Sequence, residues 1–343
     1  IDRSLVGSEM CIRDRDVTGA LPVNKVSDHL TMLAEVIVAE TIQMAWQQMT
    51  EKYGYPAGAD EDNRHFAVLA YGKQGGIELG YGSDLDLVFL HDCSSNAGTD
   101  GSKSIDSKQF YIKLSQRIIH IFTTKTLSGD LYEVDMRLRP SGNSGLLVSH
   151  IDAFENYQEQ EAWTWEHQAL VRSRFIYGDK RLQTRFSEIR NQVLTRSRDF
   201  SDLKKQIKDM REKMRKHLNK GTAEQFDLKQ DRGGITDIEF LVQYWVLAHA
   251  HQHKELTKWS DNLRILEQLC QLKIIDEIHL KTLTNSYLAY RNKGHRLSLA
   301  CKSALDATQE FESNRDNIIA IWEEFLGAVS YTHLRAHETP ITL

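Results

Sequence analysis

Two aspartates separated by one residue are the first chemically informative feature of this sequence. Asp84 and Asp86 flank Leu85 at the start of an apolar run, LDLVFLH at 85–91. Residues two apart in an extended strand point to the same face, so both carboxylates should project together. Two carboxylates held this close repel each other unless a cation lies between them, and oxygen ligands of this kind suit Mg²⁺.

A third carboxylate can complete the site. Asp135 lies between Val134 and Met136 in LYEVDMRLR at 131–139, where the alternation of apolar and charged residues predicts a strand. If this strand neighbours the 85–91 strand, the three carboxylates converge and can hold two metal ions. We therefore predict that Asp84, Asp86 and Asp135 are both catalytic and metal-binding.

The segment before the aspartate pair is rich in glycine. GKQGGIELGYGS at 72–83 has five glycines, which let a backbone approach a phosphate and turn its N–H groups inward. Lys73 can add a point charge there. We predict that Gly72, Lys73, Gly82 and Ser83 bind a nucleotide. A glycine loop, a DxD pair and a later single aspartate, in this order, resemble the general pattern of the DNA polymerase β-like nucleotidyltransferase superfamily.

Two arginines follow the third aspartate. Arg137 and Arg139 alternate with Met136 and Leu138, so they should share the face of Asp135. One interpretation is that they clamp the oxygens of a triphosphate. The other is that they form ordinary salt bridges with neighbouring acids. The pattern leaves both open, and we include both arginines among the predicted nucleotide-binding residues.

The surrounding sequence predicts the elements that position these residues. Helical periodicity predicts helices over 26–52, with Ser27 as its cap, and over 108–125. Short apolar runs predict strands at 66–71, 85–91 and 146–149. After residue 151 helical patterns dominate. The predicted fold class is α+β, with a small mixed-sheet nucleotidyltransferase domain followed by an all-helical domain.

Composition excludes several other classes of protein. The 343 residues carry a formal net charge of −5, and no basic surface interleaved with aromatic residues is evident, so nucleic acid is not an expected partner. No apolar run reaches 18 residues, so no membrane span is expected. The four cysteines form no CxxC pair, which indicates neither a zinc site nor disulfides. We expect a cytoplasmic protein.

The two ends differ from the rest of the sequence. SLVGSEMCIRDR at 4–15 and VSYTHLRAHET at 329–339 resemble translated adapter DNA. We therefore interpret 1–15 and 329–343 as non-native and the chain as a fragment. The remaining sequence is divided into a nucleotidyltransferase domain at 16–150 and a helical domain at 151–328.

Three longer motifs carry a resemblance to one family. YGKQGGIELGYGSDLDLVFLHD at 71–92, YEVDMRLRPSGNSGLLVS at 132–149 and FDLKQDRGGITDIEFLVQYWVLAHA at 226–250 resemble glutamine synthetase adenylyltransferase, its adenylylating C-terminal half in particular. The resemblance implies transfer of AMP from ATP to a tyrosine of glutamine synthetase with Mg²⁺, and a PII signal protein as a further partner. We assign no separate general base; Asp135 is the best candidate if there is one.

Two other functions stay open. A uridylyltransferase acting on a PII-type signal protein has the same nucleotidyltransferase core. A non-catalytic module would bind a partner through its helical part. Three intact carboxylates argue against the latter, because a domain without catalysis has no need of mutually repelling acids.

Three weaker features lie in the helical part. In KQDRGGITDIEF at 229–240, Lys229, Asp231 or Asp237 can reach the nucleotide, or the acids, with Glu239, simply complement a helix dipole. An apolar stripe over 203–218 predicts an amphipathic helix with a solvated basic face that includes Arg211. HAHQH at 249–253 has no further residues at metal-ligand spacing, so we do not predict a metal site there.

Overall fold

A computed structural model describes residues 3–93, 97–125, 129, 131–222, 224–306 and 309–327. The predicted α+β class is confirmed: a mixed sheet lies in the first half of the chain, and helices dominate the second. The strands are β1 Phe66–Ala70, β2 Leu85–His91, β3 Val134–Asp135, β4 Val148–His150, β5 Arg174–Gly178, β6 Phe226–Asp227 and β7 Leu305–Asp306. The helices are α1 Arg3–Val17, α2 Val23–Tyr53, α3 Gly72–Gly75, α4 Ser107–Thr123, α5 Ile151–Gln160, α6 Thr164–Val171, α7 Lys180–Leu194, α8 Phe200–Leu218, α9 Ile235–His249, α10 Asn262–Gln271, α11 Glu277–Leu299 and α12 Glu312–Leu326.

The main sheet is built around β1 and β2, which are antiparallel. On one side of β1 lies β5, also antiparallel. On the other side of β2 lie β3 and β4, both parallel to it: β3 pairs with its first residues and β4 with its last. Because β5 comes from the second half of the chain, that half also extends the sheet. The division near residue 150 stays a prediction.

The two faces of the sheet pack against different parts of the chain. Phe66 and Val68 of β1, with Leu87 of β2, belong to a core completed by α2 and α4. The alternate residues, such as Leu69 and Val88, belong to a second core formed with α5, α6, α7 and α9. Strand alternation therefore places the side chain of every second β2 residue toward the helical part. Asp86 has the same parity as Val88.

The helical part is organised around α9. All but a few of its residues are buried, and it packs against α6, α8, α10, α11 and α12. Such all-round burial agrees with the almost wholly apolar stretch FLVQYWVLA. None of the helices in the described ranges is long and apolar enough to cross a membrane.

Several local predictions need correction. Ser27 does not cap α2, because the helix begins earlier, after Pro22, and the Ser27 hydroxyl instead accepts a hydrogen bond from Arg291. The strand predicted over 131–139 is limited to β3. It ends because the Asp135 carboxylate accepts a hydrogen bond from the backbone N–H of Arg137, which turns the chain.

The two ends also bear on the sequence predictions. Residues 1–15 were left out of the predicted fold, yet Arg3–Val17 forms α1, and this helix packs against α2. The segment 329–343 lies outside the described residues, as do residues 1 and 2.

Candidate active site

The predicted carboxylates meet at one point. In the parallel pairing of β2 with β3, Asp86 is directly opposite Asp135, and Asp84 precedes the first residue of β2. Oxygen atoms from Asp84, Asp86 and Asp135 lie within 4.8 Å of one another. It is the only cluster of three or more acidic, histidine or cysteine side chains with metal-ligand spacing in the described ranges. The convergence predicted from the sequence is thus confirmed.

Gly72 gives the central carboxylate its space. The Tyr71 N–H donates to the Asp86 carbonyl at 2.9 Å, which brings the glycine loop against the beginning of β2. Gly72 has φ of 54°, in the left-handed region. A Cβ at this position would lie 2.2 Å from Asp86 Oδ2. Only glycine combines this conformation with so close an approach.

Burial and mutual repulsion make the central carboxylate hard to ionise. Burial, and then the charges of Asp84 and Asp135, raise the pKa of Asp86 to about 6. Burial acts in the same direction at Asp135, but hydrogen bonds from Arg137 outweigh it and lower the pKa of that carboxyl. A lowered pKa makes Asp135 a weak proton acceptor, which argues against the expectation that it is the general base.

Asp86 leads to a prediction about pH. Its folded-state pKa of about 6 exceeds the ordinary 3.8, so between these values the folded chain holds a proton that the unfolded chain has lost. The free energy of unfolding should therefore fall as pH rises from about 4 to about 6 in metal-free buffer. Asp86→Asn should remove this contribution, on the order of 2–3 kcal/mol. Urea unfolding across this range measures it, and identical pH slopes for the two proteins would contradict it.

The glycine-loop residues lie as predicted beside the acids. Lys73 Nζ donates to Ser83 Oγ at 3.4 Å, and the same oxygen accepts a hydrogen bond from the Gly80 N–H at 3.1 Å. Gly82, with φ of 66°, makes the turn before Ser83. Desolvation of the Lys73 ammonium by the surrounding protein lowers the pKa of Lys73, and the positive charge of Lys229 lowers it further. Their binding of a nucleotide stays a prediction.

The two arginines have different surroundings. Arg137 is exposed and forms an ion pair with Asp135, its Nε donating to Oδ2 at 2.7 Å. Arg139 is buried and donates to the backbone carbonyls of Met136, Asn143 and Gly145 at 2.7, 3.3 and 3.3 Å. Its guanidinium therefore stabilises the turn after β3. They do not share a strand face, because β3 ends at Asp135.

The motif at 229–240 divides into structural and site-facing residues. Asp237 accepts a hydrogen bond from Arg211 Nε at 2.6 Å, and both side chains are buried. Asp231 binds Asn219, and Glu239 pairs with Arg172. Of the three candidates for reaching the nucleotide, Lys229 is the one whose charge is among the main influences on Asp86, where it lowers the pKa. The buried Arg211 is also a correction to the predicted basic face of α8, which otherwise carries exposed or half-buried cations.

The sequence prediction missed one buried network. Arg172, just after α6, forms ion pairs with Glu78 of the glycine-loop segment and with Glu239 of α9. Glu78 also accepts hydrogen bonds from Asn262 and, at 2.6 Å, from the Tyr287 hydroxyl. Arg172 would have been hard to select, because its partners are 94 and 67 residues away.

A glycine loop after the first strand, a carboxylate pair at the next and a third carboxylate on a parallel neighbour define a nucleotidyltransferase-type α+β site. The sequence model of the glutamate-ammonia ligase adenylyltransferase family matches residues 5–189. The chain belongs to this family. A second model, for the GlnD PII-uridylyltransferase, matches residues 201–310.

Two similar proteins share one name. The chain is 54% identical over 321 residues to the bifunctional glutamine synthetase adenylyltransferase/adenylyl-removing enzyme of Shewanella frigidimarina. It is 52% identical over 325 residues to the enzyme of the same name from Shewanella oneidensis. Each match covers 94% of this chain but 34% of the relative. The chain thus spans about a third of the length of these relatives.

Proposed function

We propose that this chain transfers AMP from ATP to a tyrosine hydroxyl of glutamine synthetase and releases pyrophosphate. The observation that carries the proposal is the convergence of three carboxylates beside a glycine loop, in a chain whose relatives are named for this reaction. In the reaction, the tyrosine oxygen forms a bond to the α-phosphorus, the bond to pyrophosphate breaks and the phenolic proton is released.

The carboxylate set fits Mg²⁺. Asp84, Asp86 and Asp135 offer only oxygen atoms, and burial, followed by the charges of its two neighbours, raises the pKa of Asp86, which a bound cation would offset. When bound there, Mg²⁺ would neutralise these charges and those of the phosphates and help ionise the tyrosine, whose free pKa is about 10. Gly72 keeps the space in front of Asp86 open, and Arg137 orients the Asp135 carboxylate by hydrogen bonds to both its oxygens.

The nucleotide site is assigned to the glycine-loop side of the acids. Lys73 contributes a positive charge there, and Ser83, hydrogen-bonded to it, fixes the end of the loop. Arg137, exposed at the other side, is the better placed of the two arginines to contact phosphate, since the donors of Arg139 are already bound to backbone carbonyls. The protein substrate would enter from the open side of this site.

The proposal is tested by following the label of ATP. The chain is incubated with glutamine synthetase, Mg²⁺ and ATP labelled either in the α-phosphate or in the γ-phosphate. Only the α-label should remain on the synthetase, which distinguishes AMP transfer from phosphorylation. No α-label on a tyrosine, with the chain folded, would contradict the proposal.

A uridylyltransferase is the second candidate, because the match to the GlnD PII-uridylyltransferase covers 201–310. That segment contains none of the three carboxylates, so it supports a related helical part rather than a choice of nucleotide. Parallel reactions with labelled UTP and a PII-type protein separate the two. Transfer from UTP alone would favour uridylylation, and nucleotide binding without any transfer would favour a non-catalytic module.

The contact between Gly72 and Asp86 gives a further prediction. Gly72→Ala should reduce AMP transfer by about 100-fold, because its Cβ displaces the Asp86 carboxylate by an ångström or more. Initial rates at saturating ATP measure this loss. Gly58→Ala is the control: Gly58 also has a positive φ, of 81°, but its Cβ would meet nothing nearer than His65 at 3.7 Å. Equal rates in the two variants would contradict the prediction.

A further inference from the structure

Lys229 is an exposed cation with no partner of its own. Its Nζ makes no hydrogen bond or ion pair with any residue in the described ranges, whereas most arginines in this structure pair with acids or carbonyls. Lys229 lies in the loop that precedes α9, and its carbonyl accepts a hydrogen bond from the Thr236 N–H at 3.1 Å. Its backbone is thus joined to the first turn of that helix.

The loop that carries Lys229 is held firmly. Its N–H donates to Asp227 Oδ1 at 2.9 Å. On the next residue, the Gln230 carbonyl accepts from Arg211 Nη2 at 2.8 Å, and Arg211 is itself anchored by the buried Asp237. These bonds to buried charged groups fix the backbone from which the Lys229 side chain extends. Asp237 thus helps to fix the backbone of the loop that carries Lys229.

The loop that carries Lys229 precedes a helix that buried ion pairs join to the glycine-loop segment. One turn further along α9, Glu239 pairs with Arg172, which pairs with Glu78 of the glycine-loop segment. This chain of contacts places the start of α9 against the glycine loop. The charge of Lys229 acts to lower the pKa of Asp86, of Glu239 and of Lys73. At Lys73 this disfavours a second ammonium group. Lys73 and Lys229 thus approach the same site from the two parts of the molecule.

We propose that Lys229 binds the polyphosphate of the nucleotide, opposite Lys73, so that the helical part supplies half of the phosphate site. This inference rests on the proposed function and adds a residue to it. Two ammonium groups near one site repel each other, and an anion with several charged oxygens between them relieves that repulsion. The alternative role, in which Lys229 only offsets the charge of Asp84 and Asp86, predicts a different response to nucleotide and to Mg²⁺ alone.

The test compares ligands with and without the polyphosphate. Calorimetric titration of the whole chain with the α,β-methylene analogue of ATP, in Mg²⁺, is run for wild type, Lys229→Met and Lys229→Arg. AMP and Mg²⁺ alone are titrated in parallel. Lys254→Met, which removes an exposed lysine beyond the other end of α9, is the matched control. Urea unfolding of each variant checks that the fold is intact.

Lys229→Met should weaken binding of the analogue about tenfold or more, the value of one charge-assisted hydrogen bond. AMP affinity should change less than twofold, Lys229→Arg should recover most of the loss, and Lys254→Met should match wild type. Three results for Lys229→Met would overturn this inference but not the proposed function. They are unchanged affinity for the analogue, an equal loss of affinity for AMP, and tighter Mg²⁺ binding with unchanged affinity for the analogue. Wild type that binds no analogue in Mg²⁺ would instead overturn the proposed function.

Discussion

Asp86→Ala should abolish AMP transfer while the chain stays folded. Asp86 is the central carboxylate of the three: it lies opposite Asp135 on the neighbouring strand and two residues from Asp84. Metal-borne charge stabilisation of a phosphoryl transition state is worth several kcal/mol, which corresponds to a loss of about a thousandfold or more. Labelled AMP on glutamine synthetase, quantified at equal concentrations of folded variant and wild type, measures the effect.

The same loss is expected for Asp84→Ala and for Asp135→Ala, because the three side chains share one site. The stability of Asp86→Ala should not fall and should rise in metal-free buffer at neutral pH, since burial and like charges disfavour this carboxylate. Asp209→Ala, which removes an exposed acid of α8, is the control for an altered net charge. Full activity in any of the three site variants would remove that residue from the metal assignment.

The carboxylate pair could be predicted from the sequence because its geometry depends only on residues close together in the chain. Asp84 and Asp86 needed only the alternation of a strand, and the apolar run at 85–91 showed where that strand begins. Their meeting with Asp135 needed one assumption, that two strands are neighbours. The parallel register of β2 with β3 confirms it.

What the sequence did not reveal depends on contacts between distant segments. Arg139 looked like a phosphate ligand because a regular strand would aim it beside Asp135, yet a hydrogen bond to the Asp135 carboxylate ends that strand after two residues. Arg211 looked like part of a solvated face, yet it is buried against Asp237 and Gln230. Helical periodicity cannot show which cation of a basic helix meets a buried acid from another helix.

The position of the site follows from the two cores. Every second residue of β2 faces the helical part, and Asp86, which has the same parity as Val88, lies on that face of the sheet. A carboxylate pair on the other face would have been buried under α2 and α4. Any function of the site therefore depends on how the helical part packs against the glycine loop. Arg172 joins the two through its ion pairs with Glu78 and Glu239.

Arg172→Met should lower the free energy of unfolding by about 3–5 kcal/mol, because it leaves Glu78 and Glu239 without their common partner. The Arg172 and Glu78 side chains are 5% and 4% exposed, so solvent cannot replace the lost ion pair. The glycine loop should shift as well, because the Arg172 guanidinium packs against Gly76, where a Cβ would lie 2.9 Å from its Nη2. Urea unfolding followed by tryptophan fluorescence measures the first effect, and the KM for ATP reports the second.

Two comparisons isolate the buried ion pair. Arg232→Met removes a cation from an exposed pair, with Glu323 at 3.3 Å and both side chains 53% exposed, and should cost about 1 kcal/mol or less. Adding Glu78→Gln to Arg172→Met should recover part of the stability, because one unpaired buried charge is then absent, but should leave the KM for ATP raised. Stability equal to wild type in Arg172→Met would show that the pair is not needed to join the two parts. A normal KM in the double variant would show that Arg172 stabilises the fold without positioning the glycine loop.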